Sequence, residues 1–176
     1  MLKPENCLIL MIDMQEKLVK ATHAEQEVSQ AEKLVKTAEI LNIPTIVSEQ
    51  YPKGLGCTLD CLKNNFQKYV EKTSFSVLKE ETLCEILQAY DKTQVVLFGI
   101  EAHICVYQTA MDLLDKGYEV YLVKDASKSR NEYEFNTGIE LMRQEGVKIT
   151  CLEIVLFELL QSSKNPHFKE IQSLIK

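Results

Sequence analysis

No apolar run in this sequence approaches the roughly 18 to 20 residues needed to cross a bilayer. The opening Met1-Leu2-Lys3-Pro4-Glu5-Asn6 also lacks the basic start, apolar core and cleavage site of a secretory leader. A cytoplasmic protein with no membrane partner is expected. Cationic excess is missing too: 20 Lys and Arg stand against 26 Asp and Glu, for a formal charge of −6. Nucleic-acid binding depends on clustered cations that displace counterions from phosphates, so no nucleic-acid partner is expected. Disulfide framing is absent, because Cys7, Cys57, Cys61, Cys84, Cys105 and Cys151 are scattered, and in a reducing compartment most read as small buried apolar residues. Histidine is scarce, with three in the chain. There is no internal repeat and no low-complexity linker.

What is present suits a globular fold. Hydrophobic residues make up 45% of the chain and charged ones 26%, well away from the composition of disordered chains. A length of 176 residues fits one core, and a single domain over 1–176 is expected. Residues 7–12 form a continuous apolar run ending at Asp13, which predicts a buried parallel strand with a carboxylate at its carboxyl end. Further strands are predicted at 45–47, 68–71, 94–99, 118–123 and 147–152. Helical spacing of apolar residues predicts helices over 28–41, 80–90, 104–116 and 131–144, with Gly117 and Gly146 at C-terminal stops. One or two short helices follow in 154–176, broken at Asn165-Pro166. Residues 48–58 carry the Pro and Gly of a loop.

Strands alternating with helices indicate an α/β fold, a parallel sheet with helices on both faces. In such sheets ligands bind outside the carboxyl ends of the strands. Asp13, Lys72 and the segment 99–105 all fall at predicted carboxyl ends, so three reactive side chains far apart in sequence are expected on one rim. Cys105 is read at the start of a helix directly after a buried strand. Unpaired N–H groups and the helix dipole lower a thiol's pKa there, and the same N–H groups suit an oxyanion. Asp13 is placed to act as general base, and Lys72 to hold Asp13 ionised. Each residue taken alone has a plainer explanation: a buried structural cysteine, a helix N-cap and a solvated surface lysine.

Taken in order, Leu10-Met11-Ile12-Asp13-Met14-Gln15, Glu49-Gln50-Tyr51-Pro52-Lys53-Gly54-Leu55-Gly56, Lys72-Thr73-Ser74-Phe75-Ser76, Gly99-Ile100-Glu101-Ala102-His103-Ile104-Cys105-Val106 and Asp125-Ala126 resemble the isochorismatase-like cysteine-hydrolase superfamily. The tail Pro166-His167-Phe168-Lys169-Glu170-Ile171-Gln172 is similar to its isochorismatase-domain-containing subgroup, so the likeness spans nearly the whole chain. The resemblance implies a three-layer α/β/α, Rossmann-like fold around a six-stranded parallel sheet. It implies a catalytic triad of Asp13, Lys72 and Cys105, a cis peptide at Ile100-Glu101, and an oxyanion hole from the N–H groups of Glu101 and Cys105. It further implies a homo-oligomer, dimer or larger.

Two departures narrow the chemistry. Nicotinamidases of the superfamily carry an Asp-x-His metal site where this chain has Ser48-Glu49-Gln50, so no metal and no other cofactor is expected. Members that cleave a vinyl ether often lack the nucleophilic cysteine, whereas Cys105 is present. The expectation is a metal-independent hydrolase of a small amide, carbamoyl or related acyl substrate, working through an acyl-Cys105 intermediate. The alternative from another class is a catalytically idle binding or scaffold protein that keeps the fold; thiol-based redox sensing would need a resolving cysteine close by. Gln15, Tyr51, Phe75 and His103 flank the triad positions and are expected to line the pocket, His103 as a supporting residue and not as base. Cys57 and Cys61 lack the second pair that a zinc site needs. Gly54-x-Gly56 lacks the context of a phosphate loop and reads as a flexible substrate loop.

Overall fold

Continuous apolar runs become the middle of the sheet. In the computed structural model, which describes residues 1–64 and 67–176, β1 (Cys7–Ile12) and β4 (Gln94–Gly99) are buried along their whole length. They pair in parallel from Cys7 opposite Gln94 to Ile12 opposite Gly99. β2 (Thr45–Gln50) and β3 (Gln67–Lys72) add to one side, and β5 (Glu119–Val123) and β6 (Lys148–Thr150) to the other. The order is β3-β2-β1-β4-β5-β6 with every pair parallel. The chain therefore builds outward from β1 to β3, then crosses back to place β4 on the other flank of β1. Such a reversal leaves a crevice at the carboxyl ends of β1 and β4.

Eight α-helices are described: α1 (Glu16–Thr22), α2 (Glu25–Ile40), α3 (Pro52–Leu55), α4 (Glu81–Tyr90), α5 (Tyr107–Asp115), α6 (Glu132–Gln144), α7 (Leu152–Leu160) and α8 (Phe168–Ser173). Side chains of a strand alternate between faces. Ile9, Met11, Val96 and Phe98 accordingly pack against Leu34 and Val35 of α2 and Val155 and Leu156 of α7. Leu8, Leu10, Val95 and Leu97 pack on the other face against Leu83 of α4, Leu113 of α5 and Met142 of α6. Two hydrophobic layers thus enclose one sheet, giving the three-layer α/β/α arrangement.

Several elements differ from the sequence expectation. β2 runs on through Ser48-Glu49-Gln50, read as loop, because these polar residues are covered in the fold and pair with β3 as far as Gln50 opposite Lys72. α1 and the short α3 were not expected; neither has a side-chain N-cap that would announce it. The last strand is shorter than 147–152, since Leu152 opens α7 with its N–H donating to Asp125 Oδ1 at 2.9 Å. No described helix is long and apolar enough to cross a membrane.

Candidate active site

Asp13 stands one residue beyond β1, with a left-handed backbone (φ 51°) that Asp tolerates better than most residues. Its N–H donates to Ser48 O at 3.1 Å, which ties it to the neighbouring strand. The carboxylate is fully buried: Oδ1 accepts from Ser48 Oγ at 2.6 Å and Oδ2 from Lys72 Nζ at 2.7 Å. Lys72 ends β3, two strands away, and its side chain reaches back across β2 with no exposure at the ammonium end. The ammonium also donates to Gln50 Oε1 at 2.5 Å, to Phe75 O at 3.1 Å and to Ser74 O at 3.3 Å. A buried lysine survives only when its protons are accepted, and four oxygens do so here. Ser48 and Gln50 therefore belong to the site, although neither is among the site residues expected from the sequence. The signal available was their polarity at the carboxyl end of a strand.

The third element is the turn after β4. Gly99 ends that strand at φ 136°, where an added Cβ would lie 2.0 Å from Ile12 O; only glycine permits this approach of β4 to β1. The Ile100–Glu101 peptide is cis, as the resemblance implied. Residues Ala102–Val106 form a π-helical turn, with Val106 N–H donating to Glu101 O at 3.2 Å, before α5 begins at Tyr107. Single π turns inside helices recur at functional sites. Cys105 lies in this turn and is 7% exposed, and its thiol is near enough to Asp13 and Lys72 for both to shift its ionisation. The fold thus brings Asp13, Lys72 and Cys105 together.

The electrostatics correct one expectation. A helix-terminus argument predicts a lowered thiol pKa at Cys105, yet burial, then the Asp13 carboxylate, pushes it up to about 12, with Lys72 only partly opposing. Cys105 is inside a π turn packed against a carboxylate, not on the open first turn of an α-helix, so desolvation and like-sign charge prevail. Burial likewise raises Asp13 above the ordinary carboxylate range, while Lys72 and Ser48 pull it back. The resting arrangement is a thiol facing the Asp13–Lys72 pair.

The remaining expected site residues are placed as follows. Gln15 is fully buried, and its amide accepts from Gln50 N at 2.7 Å and donates to Gly56 O at 2.6 Å, bracing the loop after β2. That loop is partly helical, through α3, where an open flexible segment was expected. Tyr51 and Phe75 are both more than half exposed, and Tyr51 lines a depression of about 300 Å³ together with Lys53, Glu71, Lys72 and Glu80. His103 turns to Ser129 Oγ (2.9 Å) and Glu134 Oε2 (3.6 Å). Its backbone is clamped by α6, since a Cβ on Gly138 would meet His103 Cα at 2.9 Å. Glu101 receives Arg130 Nε at 3.0 Å. Among the described residues, no three His, Cys, Asp or Glu side chains are grouped to hold a metal ion.

Comparison with known proteins gives a consistent result. The isochorismatase domain family model matches residues 7–154. Isochorismatase domain-containing protein 2 of Danio rerio is 42% identical over 178 residues, covering 99% of this chain and 89% of that protein. Its Xenopus laevis counterpart is 42% identical over 169 residues, with 96% and 82% covered. Among solved structures, one described as MAR1 ribonuclease from Caenorhabditis elegans superposes with a TM-score of 0.93 at 37% identity, covering 99% of this chain and 91% of that one.

Proposed function

The chain belongs to the isochorismatase domain family, and from that premise we propose that it is a metal-independent cysteine hydrolase of a small amide, carbamoyl or related acyl substrate, with Asp13, Lys72 and Cys105 as its catalytic triad. The observation that carries this reading is the fully buried Asp13–Lys72 pair, 2.7 Å apart, with both groups acting on the ionisation of the Cys105 thiol. A buried ion pair is weak evidence for stability, because desolvation opposes it. Perturbed ionisable groups gathered at a crevice instead favour chemistry.

The geometry supports the following sequence. Asp13 takes the Cys105 proton as the sulfur attacks the acyl carbon, which offsets the poor ionisation of the buried thiol. The negative charge that develops on the acyl oxygen is received by the N–H groups of Glu101 and Cys105. Collapse expels ammonia or an amine, which leaves with the proton from Asp13, and an acyl thioester remains on Cys105. Water then attacks the thioester with Asp13 again accepting the proton, and the carboxylic acid departs as the thiol is restored. Lys72 keeps Asp13 ionised between these transfers and holds it in place. Tyr51 and Phe75, exposed beside Lys72, shape the entrance, with the buried Gln15 bracing the loop that carries Tyr51 and His103 turned aside to Ser129.

Ribonuclease activity, named for the C. elegans relative, is a control for this chain. Its formal charge of −6 is unsuited to holding a phosphate backbone. A homo-oligomer is also proposed, since Ile154 and Phe157 stand exposed one turn apart on α7. The test is a panel of small amides, N-carbamoyl compounds, nicotinamide and RNA, assayed with the wild type and Cys105→Ala. Turnover of an amide or carbamoyl compound that disappears in the variant supports the reading. Equal rates in the two proteins remove it, and no turnover of any compound favours the idle scaffold.

A further inference from the structure

A cavity of about 550 Å³ opens past the carboxyl ends of β5 and β6, and none of Asp13, Lys72 and Cys105 lines it. Its volume is in the range of small-molecule sites, roughly 300 to 1,000 Å³. One wall is the segment 127–130, whose members also contact the turn that carries Cys105: Lys128 O accepts from Ala102 N at 2.8 Å, and Ser129 Oγ meets His103 Nδ1 at 2.9 Å. The lining also includes Glu27 of α2, Phe135 of α6, and Thr150 and Cys151 at the end of β6.

The lining charges are evenly matched, with Lys124, Lys128 and Arg130 against Glu27, Asp125 and Glu132. Even matching disfavours a polyanion, which needs cationic excess, and a purely apolar ligand, which would strip water from six charges without replacing it. Two unmet hydrogen-bonding atoms point the same way. Among the described residues four buried side-chain oxygens lack a hydrogen-bond partner, and two of them, Glu27 Oε2 and Thr150 Oγ1, belong to this lining. Glu27 Oε1 is already engaged by Lys128 Nζ at 2.9 Å, so Oε2 is the acceptor left over. Such atoms are costly to leave unpaired, and both residues line the cavity. Arg130 uses Nε for Glu101, and its remaining guanidinium N–H groups suit a carboxylate. Phe135 supplies an apolar face with the Lys124 ammonium 5.9 Å from its ring centre.

We propose that this cavity binds an amino-acid-like zwitterion, up to the size of a dipeptide. Its ammonium donates to Glu27 and Thr150, its carboxylate is held by Arg130 and Lys124, and Phe135 packs on its apolar part. The site does not rest on the catalytic reading of Cys105.

The test is calorimetric and saturation-transfer NMR titration of the full chain with individual L-amino acids and glycyl dipeptides, each compared with its N-acetylated form. Wild type, Cys105→Ala, Glu27→Gln, Thr150→Val and Phe135→Ala are measured, with melting curves to confirm that each is folded. The expected result is saturable binding of at least one zwitterion and not of its N-acetyl form. Binding should be unchanged in Cys105→Ala and weakened about tenfold or more in Glu27→Gln and Thr150→Val, the loss of one charge-assisted hydrogen bond. Should either wall variant fail to fold, Phe135→Ala gives the same readout. Absence of saturable binding, binding indifferent to the wall variants, or binding lost in Cys105→Ala would overturn the proposal, the last by placing the ligand at the triad.

Discussion

Alkylation of Cys105 exposes the electrostatics of the triad most simply. Burial and Asp13 push its pKa from the ordinary 9.0 to about 12. Below pH 9 that leaves roughly a thousandfold less thiolate than an ordinary thiol holds, a bias of about 4 kcal/mol toward the protonated form. The reactive species is the thiolate. In iodoacetamide labelling between pH 7 and about 8.5, read by peptide mass spectrometry, Cys105 should therefore lag the exposed Cys57 by orders of magnitude. Burial slows the reagent as well, so the decisive comparison is between variants of equal burial. Asp13→Asn removes the like-sign charge and leaves Lys72 uncompensated, which should lower the Cys105 pKa and speed its labelling. Lys72→Met should slow it further. Labelling of Cys105 ahead of Cys57 in the wild type, with Asp13→Asn slower still, would refute the thiol ground state and require a resting thiolate–lysine pair.

Three further outcomes follow from named contacts. Lys72→Met strands a buried carboxylate, and its urea-unfolding free energy at pH 7 should fall by about 3 to 5 kcal/mol; a loss below about 1 kcal/mol would mean Asp13 is protonated in the native state. Ser48→Ala removes the 2.6 Å hydrogen bond to Asp13, so the acidic limb of the kcat/KM profile should move to higher pH, and Ser48→Thr should restore it; an unmoved limb contradicts Asp13 as base. Cys7 is also pushed up to about 12, chiefly by burial. The fold therefore keeps the Cys7 proton while the unfolded chain releases it above about pH 9, so stability falls as pH rises from 9 toward 12. With reductant present, Cys7→Ala should flatten that alkaline decline, and parallel curves would count against it.

Much of this fold is written in local pattern. β1 and β4 are legible because central parallel strands are apolar on both faces, and α4 and α6 because one face of each is apolar at helical spacing. β2 reads as ending at Val47 because Ser48 and Gln50 have the character of loop residues, and only the folded contacts with Asp13 and Lys72 explain them in a strand. α1 has no start signal in the sequence, because Gln15, which precedes it, makes no capping bond and spends its amide on the loop after β2. The positions of the three site residues were readable from strand ends. The direction of the thiol's pKa was not, since neighbours in sequence reveal a helix start, whereas burial and the approach of Asp13 come from strands far away in the chain.

The central claim is covalent catalysis at Cys105. Rapid-quench intact-mass spectrometry during turnover of the best substrate from the amide and carbamoyl panel tests it directly, with peptide mapping to locate any adduct. The account predicts a transient acyl mass on the peptide carrying Cys105, absent in Cys105→Ala and formed more slowly in Asp13→Asn. Full turnover with no acylated protein at any quench time, or an adduct on another cysteine, would contradict it.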